Sequence, residues 1–244
     1  MDVTEQVTEH IAALDREGTH LAATAADLTA AVPPCPQWTV QDLVTHLGGI
    51  HRWATSIVRD QLADDPLDEP GAAFVAPAPG EDVRQWFVDG LAGMVDALRA
   101  ADPVLRCFTF LPAPSSLAFW ARRQAHETAI HRADAESVTG SITPFPADFA
   151  ADGIEELYAF IGRRRRFRHV DEPRTLAIRP DDADGWTITL APDGIRAATG
   201  AGPAEATVSG TASDLYLWVW NRPATVVVDG DEDVAALWRH VQIR

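Results

Sequence analysis

The chain of 244 residues is long enough for one generous domain or two small ones. Its 46% hydrophobic and 23% charged residues are ordinary globular usage, which excludes a wholly disordered chain. The formal net charge of −16 argues against a nucleic-acid partner, since an acidic surface repels phosphate backbones, and the complete absence of lysine excludes Schiff-base chemistry on that residue.

The opening residues, MDVTEQVTEHIAALDRE, are acidic and amphipathic and read as a helix, not as a signal peptide. Val7, Ile11, Leu14, Leu21, Ala25 and Leu28 recur at helical spacing, and Pro33 and Pro34 are expected to end this first helix. A second helix is expected to open at Thr39 as N-cap and to run through Leu43, Leu47, Ile50, Ile57 and Val58. Residues 63–80, rich in Asp, Pro and Gly, read as a loop. A third helix is expected over Glu81–Ala101, a fourth over Ser115–Val138 and a fifth over Asp148–Arg165. After residue 170 the period shortens. Arg174–Pro180, Trp186–Ala191, Glu205–Ser209 and Thr225–Asp229 read as strands, with helical stretches at Ser213–Trp220 and Asp231–Val241. The expectation is a four-helix bundle, closed by the fifth helix, over residues 1–168 and a small α+β domain over 169–244.

Cys35 and Cys107 lie far apart and form no CxxC pair, which fits a reducing cytosol and predicts a cytoplasmic protein. No apolar run reaches the length of about 18 residues that a membrane helix needs, so no membrane partner is expected. The arginines at 163–166 with Arg168 sit at a helix C-terminus, where they complement the macrodipole and can pair with the many acidic residues. Trp218 and Trp220, beside Leu215 and Leu217, read as domain core.

Glu127 and His131 are spaced i,i+4 on the fourth helix, which puts them on one face, one turn apart. With His46 from the second helix they would make a two-imidazole, one-carboxylate site suited to zinc, and also to iron(II) or nickel, with a coordination position left open. By spacing alone, an i,i+4 pair on a solvated face is an equal reading. His126 begins a His-Glu pair as in the HExxH protease motif, but the second histidine comes one residue too late, and the two rings lie about 140° apart around the helix. Asp42, one turn before His46, and Asp134, three residues after His131, are candidates to orient the ligands. Asp42 reads equally well as a partner of Thr39 at the helix start. His51 and His126 read as core or surface residues before pocket residues.

Four stretches, in order, resemble the mycothiol-dependent maleylpyruvate isomerase family: WTVQDLVTHLGGIHRWA (38–54), RRQAHETAIHRADAE (122–136), AADGIEELYAFIGRRRRFR (150–168) and VSGTASDLYLWVWNRP (208–223). The resemblance implies a DinB-like metal-binding bundle followed by a sterol-carrier-like α+β domain. It implies that His46, Glu127 and His131 hold a divalent metal, zinc first, whose open position receives the thiol of mycothiol. It further implies a small electrophilic substrate, with the thiol adding to a cis double bond and leaving again after rotation, or being transferred outright. Arg222 falls where the family places a functional arginine able to clamp a carboxylate, and reads equally as a turn residue closing its helix. Ala133 stands where many relatives carry Trp, which bears on the shape of the pocket. No residue pattern spells out a recognition site for the sugar of mycothiol. The expected assembly is a monomer or weak dimer. The alternative reading is a non-catalytic protein that binds a small apolar ligand in the sterol-carrier-like domain.

Overall fold

The computed structural model describes residues 2–69, 71–162 and 166–241; Arg163–Arg165, most of the arginine run, lie outside the described residues. The chain divides into two compact units, residues 1–143 and 144–244. No helix among the described residues is long and apolar enough to cross a membrane.

The first unit holds four long helices. Helix α1 (Val3–Thr24) starts in a capping box in which Asp2 and Glu5 each accept the other's backbone N–H. Its apolar stripe, Val7, Ile11, Leu14 and Leu21, is buried. The helix stops at Thr24 and does not reach the proline pair. Asp27 instead takes the backbone N–H and hydroxyl of Thr29 at 2.9 and 2.7 Å in an Asx-turn, an alternative to continuing the helix. Pro33 and Pro34 then turn a short antiparallel hairpin, β1 (Ala31–Val32) and β2 (Cys35–Thr39). Helix α2 (Val40–Asp60) opens as expected at Thr39, whose N–H donates to the Asp42 carboxylate at 2.8 Å. Asp42 thus serves the helix start, and its hydrogen bonds from the Thr39 hydroxyl and N–H hold its carboxyl below the usual range.

Helices α3 (Val83–Ala100) and α4 (Ser116–Glu136) are N-capped by Asp82 and Ser115. Each of α1 and α2 packs on both α3 and α4. The α2–α3 seam is close because Gly48 has no side chain: a Cβ there would lie 2.3 Å from the Trp86 ring. The Arg52 guanidinium sits 3.7 Å over that same ring and donates to the Gly48 and Trp86 carbonyls. Helix α4 is buried on nearly every side, yet it carries Arg123, His131, Arg132, Asp134 and Glu136 into the interior. Buried charges persist only when paired. Arg132, 1% exposed, donates to Glu17 of α1 at 2.9 Å, to the Thr143 carbonyl at 2.7 Å, and to Glu136 one turn on.

In the second unit a five-stranded sheet has the order β5-β4-β3-β6-β7: β3 (Arg174–Pro180), β4 (Trp186–Ala191), β5 (Gly194–Thr199), β6 (Ala206–Gly210) and β7 (Val227–Gly230). Strands β3 and β6 pair in parallel; the other three pairings are antiparallel. Helices α5 (Ala147–Ile161), α6 (Ala212–Val219) and α7 (Glu232–Ala236) complete the unit. The domain boundary therefore falls near residue 143 and not at 168. Helix α5, expected to close the bundle, packs on α6 and β5 and buries Ile154, Leu157, Tyr158 and Ile161. Strand β5 was not foreseen. It is an edge strand, GIRAAT, whose last four residues are all exposed, so no alternation of buried and exposed positions marks it. Trp218 lies 5.8 Å from buried Trp238, whose indole donates to the Val219 carbonyl, in keeping with the core reading of that helix.

Removing Arg132 takes from buried Glu17 and Glu136 the cation they share, leaving them the more exposed Arg16 and His20, each at 3.0 Å. We expect Arg132→Leu to destabilise the chain by about 3–5 kcal/mol in urea unfolding. A loss under about 1 kcal/mol would show that the network contributes little.

Candidate metal centre

His46 reaches the α2–α4 seam because it lies one turn beyond the Asp42 cap, on the face of α2 that meets α4. Glu127 and His131 sit one turn apart on α4 and meet it there. The Nε2 atoms of both imidazoles converge on one carboxylate oxygen, Glu127 Oε1, at 3.8 Å from His46 and 3.3 Å from His131. The three ligand atoms all lie within 4.8 Å of one another. Tetrahedral zinc with bonds near 2.0–2.1 Å needs donors about 3.3 Å apart. The donor set therefore fits one divalent ion with small side-chain adjustments. The side chains are 30%, 19% and 11% exposed for His46, Glu127 and His131, so the centre opens toward solvent on the His46 side.

Neighbouring groups fix the donors. Asp134, wholly buried, lies 3.0 Å from His131 Nδ1 and takes its N–H, which leaves Nε2 to face Glu127. Arg123, one turn before Glu127, holds the second carboxylate oxygen. Burial works against the Glu127 carboxylate, yet the Arg123 charge and hydrogen bonds from His131 and His46 hold its pKa well below the ordinary value. Burial likewise opposes a charge on His131, but Asp134 and Glu127 overcome it and raise its pKa to about 9. Trp38, at the end of β2, packs 4.7 Å from the His46 ring and 6.0 Å from that of His131.

The remaining candidates separate clearly. His51 is fully buried; its Nε2 lies 2.9 Å from the Thr128 hydroxyl, and burial lowers its pKa to about 3, so it is a neutral core residue. His126 is buried against His10, with ring centroids 5.8 Å apart, and lies off the centre's face of the helix. Ala133 is 1% exposed, inside the packed interior. Arg222 follows α6 in the second unit, where its guanidinium donates to the Trp220 carbonyl at 2.9 Å and its N–H to the Leu217 carbonyl, behind Asn221 in a left-handed conformation. Sequence reasoning passed over Arg123 and Phe74. The i,i+4 spacing of Arg123 to Glu127 was a usable signal; Phe74 sits in a loop that has no periodicity to read.

Two family models cover most of the chain: the mycothiol maleylpyruvate isomerase N-terminal domain matches residues 7–136, and the C-terminal domain of that family matches 148–237. No curated protein matches the sequence significantly. Among solved structures, a mycothiol-dependent maleylpyruvate isomerase aligns with TM-score 0.61 and 14% identity over 94% of this chain and 93% of that one. A histidine-to-alanine variant of such an enzyme aligns with TM-score 0.63 and 13% identity over the same shares. These two likenesses carry the fold. The family models, spanning both units, establish that the chain belongs to the mycothiol maleylpyruvate isomerase family, a family of enzymes.

Proposed function

We propose that this protein is a metal-dependent enzyme that uses mycothiol to act on a small electrophile, with His46, Glu127 and His131 as the metal ligands. The observation that carries this reading is the convergence of three donors at one solvent-facing point, two helices apart in sequence. A bound divalent ion, zinc by preference, supplies the chemistry that turns a thiol with pKa near 8.5 into a thiolate at neutral pH. The chain's own residues do the rest. Asp134 keeps the proton of His131 on Nδ1. Arg123 occupies Glu127 Oε2, so that Oε1 is presented to the centre. Trp38 packs against the His46 ring and lies beside that of His131.

With a maleylpyruvate-like cis-enedioate, the thiol sulfur bonds to one alkene carbon and a proton goes to the other. The former double bond rotates, and loss of the proton and of the C–S bond gives the trans isomer and returns the thiol. With an electrophile that carries a leaving group, the C–S bond persists and the thiol is consumed. Arg222, in a segment that resembles the family's, is proposed to hold a carboxylate of the substrate through paired hydrogen bonds.

Three outcomes are expected. Zinc-loaded protein given mycothiol forms fumarylpyruvate from maleylpyruvate with all thiol recovered if it is an isomerase, and consumes thiol stoichiometrically on an electrophile with a leaving group if it is a transferase. Neither product with either substrate class contradicts the reading. Arg222→Ala lowers turnover about 100-fold or more while metal content stays intact, as loss of a charge-assisted carboxylate clamp implies; loss of metal as well would make Arg222 structural. Asp134→Asn weakens zinc binding about 10–100-fold without unfolding the chain.

The pH dependence follows from His131. Its pKa near 9 means that the metal-free centre carries a proton at neutral pH, which zinc must displace. Zinc affinity is therefore expected to rise by about tenfold per pH unit between pH 7 and 9. Titration calorimetry in buffers of different ionisation enthalpy should show about one proton released per zinc at pH 7. A flat pH profile with no proton release would remove His131 from the ligand set.

A further inference from the structure

On its open side the metal centre continues into a row of partly exposed aromatic rings. Phe74, 39% exposed, sits edge-on to His46 with centroids 6.2 Å apart. Trp53 follows at 5.8 Å from Phe74, and Phe110 at 6.4 Å from Trp53 with the two planes within 22°. The indole N–H of Trp53 is already engaged, donating to Asp65 at 2.9 Å. What this row offers a ligand is therefore apolar ring surface, chiefly that of Phe74, because Trp53 and Phe110 also pack on buried Trp120; the half-buried Asp65 carboxylate lies at its edge.

Phe74 is held there by a specific seat. The strap 71–80 links the loop after α2 to α3 and has glycines in the left-handed region at both ends, Gly71 at φ 82° and Gly80 at φ 84°. Midway, it lies directly on Gly49 of α2: a Cβ at Gly49 would stand 2.9 Å from the Val75 carbonyl oxygen and 3.0 Å from Phe74 Cβ. Contact this close is possible only because position 49 lacks a side chain. Gly49 lies three residues beyond His46, so the strap's seat and the ligand share one helix.

We propose that the row Phe74–Trp53–Phe110, with Asp65 at its edge, is the subsite for the carbohydrate body of the thiol cosubstrate. This rests on the reading of the metal centre as a thiol site. A sugar or polyol ring presents C–H groups of partial positive charge on its faces and hydroxyls around its rim. The faces match the negative faces of aromatic rings, and the hydroxyls match a carboxylate acceptor. An anionic body would meet Asp65, which accepts and cannot donate. The row starts one ring away from His46, so a thiol at the metal would lay its non-reacting part along it, Phe74 first. Phe74 is then a specificity-determining residue that selects a sugar-bearing thiol over a bare one.

The test uses the cobalt(II)-substituted full chain and reads the thiolate-to-cobalt absorption band on titration with mycothiol or N-acetylcysteine. Wild type is expected to bind mycothiol at least about tenfold more tightly. Phe74→Ala should lose about tenfold for mycothiol and stay within about twofold for N-acetylcysteine, and Phe74→Tyr should restore the preference. Gly49→Ala, which displaces the strap at Val75 and Phe74 while leaving the Phe74 side chain in place, should lower mycothiol affinity in the same direction with cobalt still bound. Equal affinity for the two thiols in wild type, or an equal loss for both in Phe74→Ala, overturns the subsite while leaving the thiol site standing. Absence of the band with either thiol overturns the thiol reading itself, and this inference with it.

Discussion

A carboxylate at the seam of two packed helices is stable only if positive or hydrogen-bonding groups surround it, and Glu127 is in that position. Its two oxygens face different partners: Arg123 holds one from the preceding turn, and His46 and His131 converge on the other. The rest of the first unit supports this convergence. The Thr39–Asp42 cap sets where α2 begins and hence where His46 falls. The buried Arg132 ties α4 to α1 beside His131, and Asp134 fixes the tautomer of that ring. A proton on His131, whose pKa Asp134 and Glu127 raise to about 9, balances part of the carboxylate charge gathered there.

The same helix that supplies His46 also carries the devices that shape the mouth of the centre. Gly48 lets α3 approach through Trp86, and the neighbouring Gly49 lets the strap approach through Phe74. Two adjacent glycines on one turn thus admit a core contact on one side and an aromatic wall on the other. Trp38 packs on the His46 ring from the hairpin that the proline pair turns. The centre is accordingly bordered by aromatic rings from two separate segments, and its three candidate ligands also come from two.

Much of this was legible in the sequence, for identifiable reasons. The i,i+4 geometry of Glu127 and His131 is fixed by the helix itself, and the Thr39 cap is a local signal, so both could be read from residues alone. The pairing with His46 was a candidate only: nothing in periodicity says which faces of two helices meet, and the family resemblance strengthened it. The domain boundary was misplaced because α5 is amphipathic like the bundle helices, and amphipathicity does not name the partner that a face will bury. The first helix was read too long because Leu28 keeps the period, whereas the Asx-turn at Asp27 decides where the helix stops. Phe74 stayed hidden because a Gly- and Pro-rich strap has no period, and only its seat on Gly49 reveals it.

The central claim is that His46, Glu127 and His131 together hold one divalent ion. The most direct measurement is elemental analysis of the purified protein and of His46→Ala, Glu127→Ala and His131→Ala after exposure to zinc, with circular dichroism to establish folding. The account predicts about one metal ion per wild-type chain and its loss in each folded variant. A folded wild type that neither retains nor rebinds metal would contradict it.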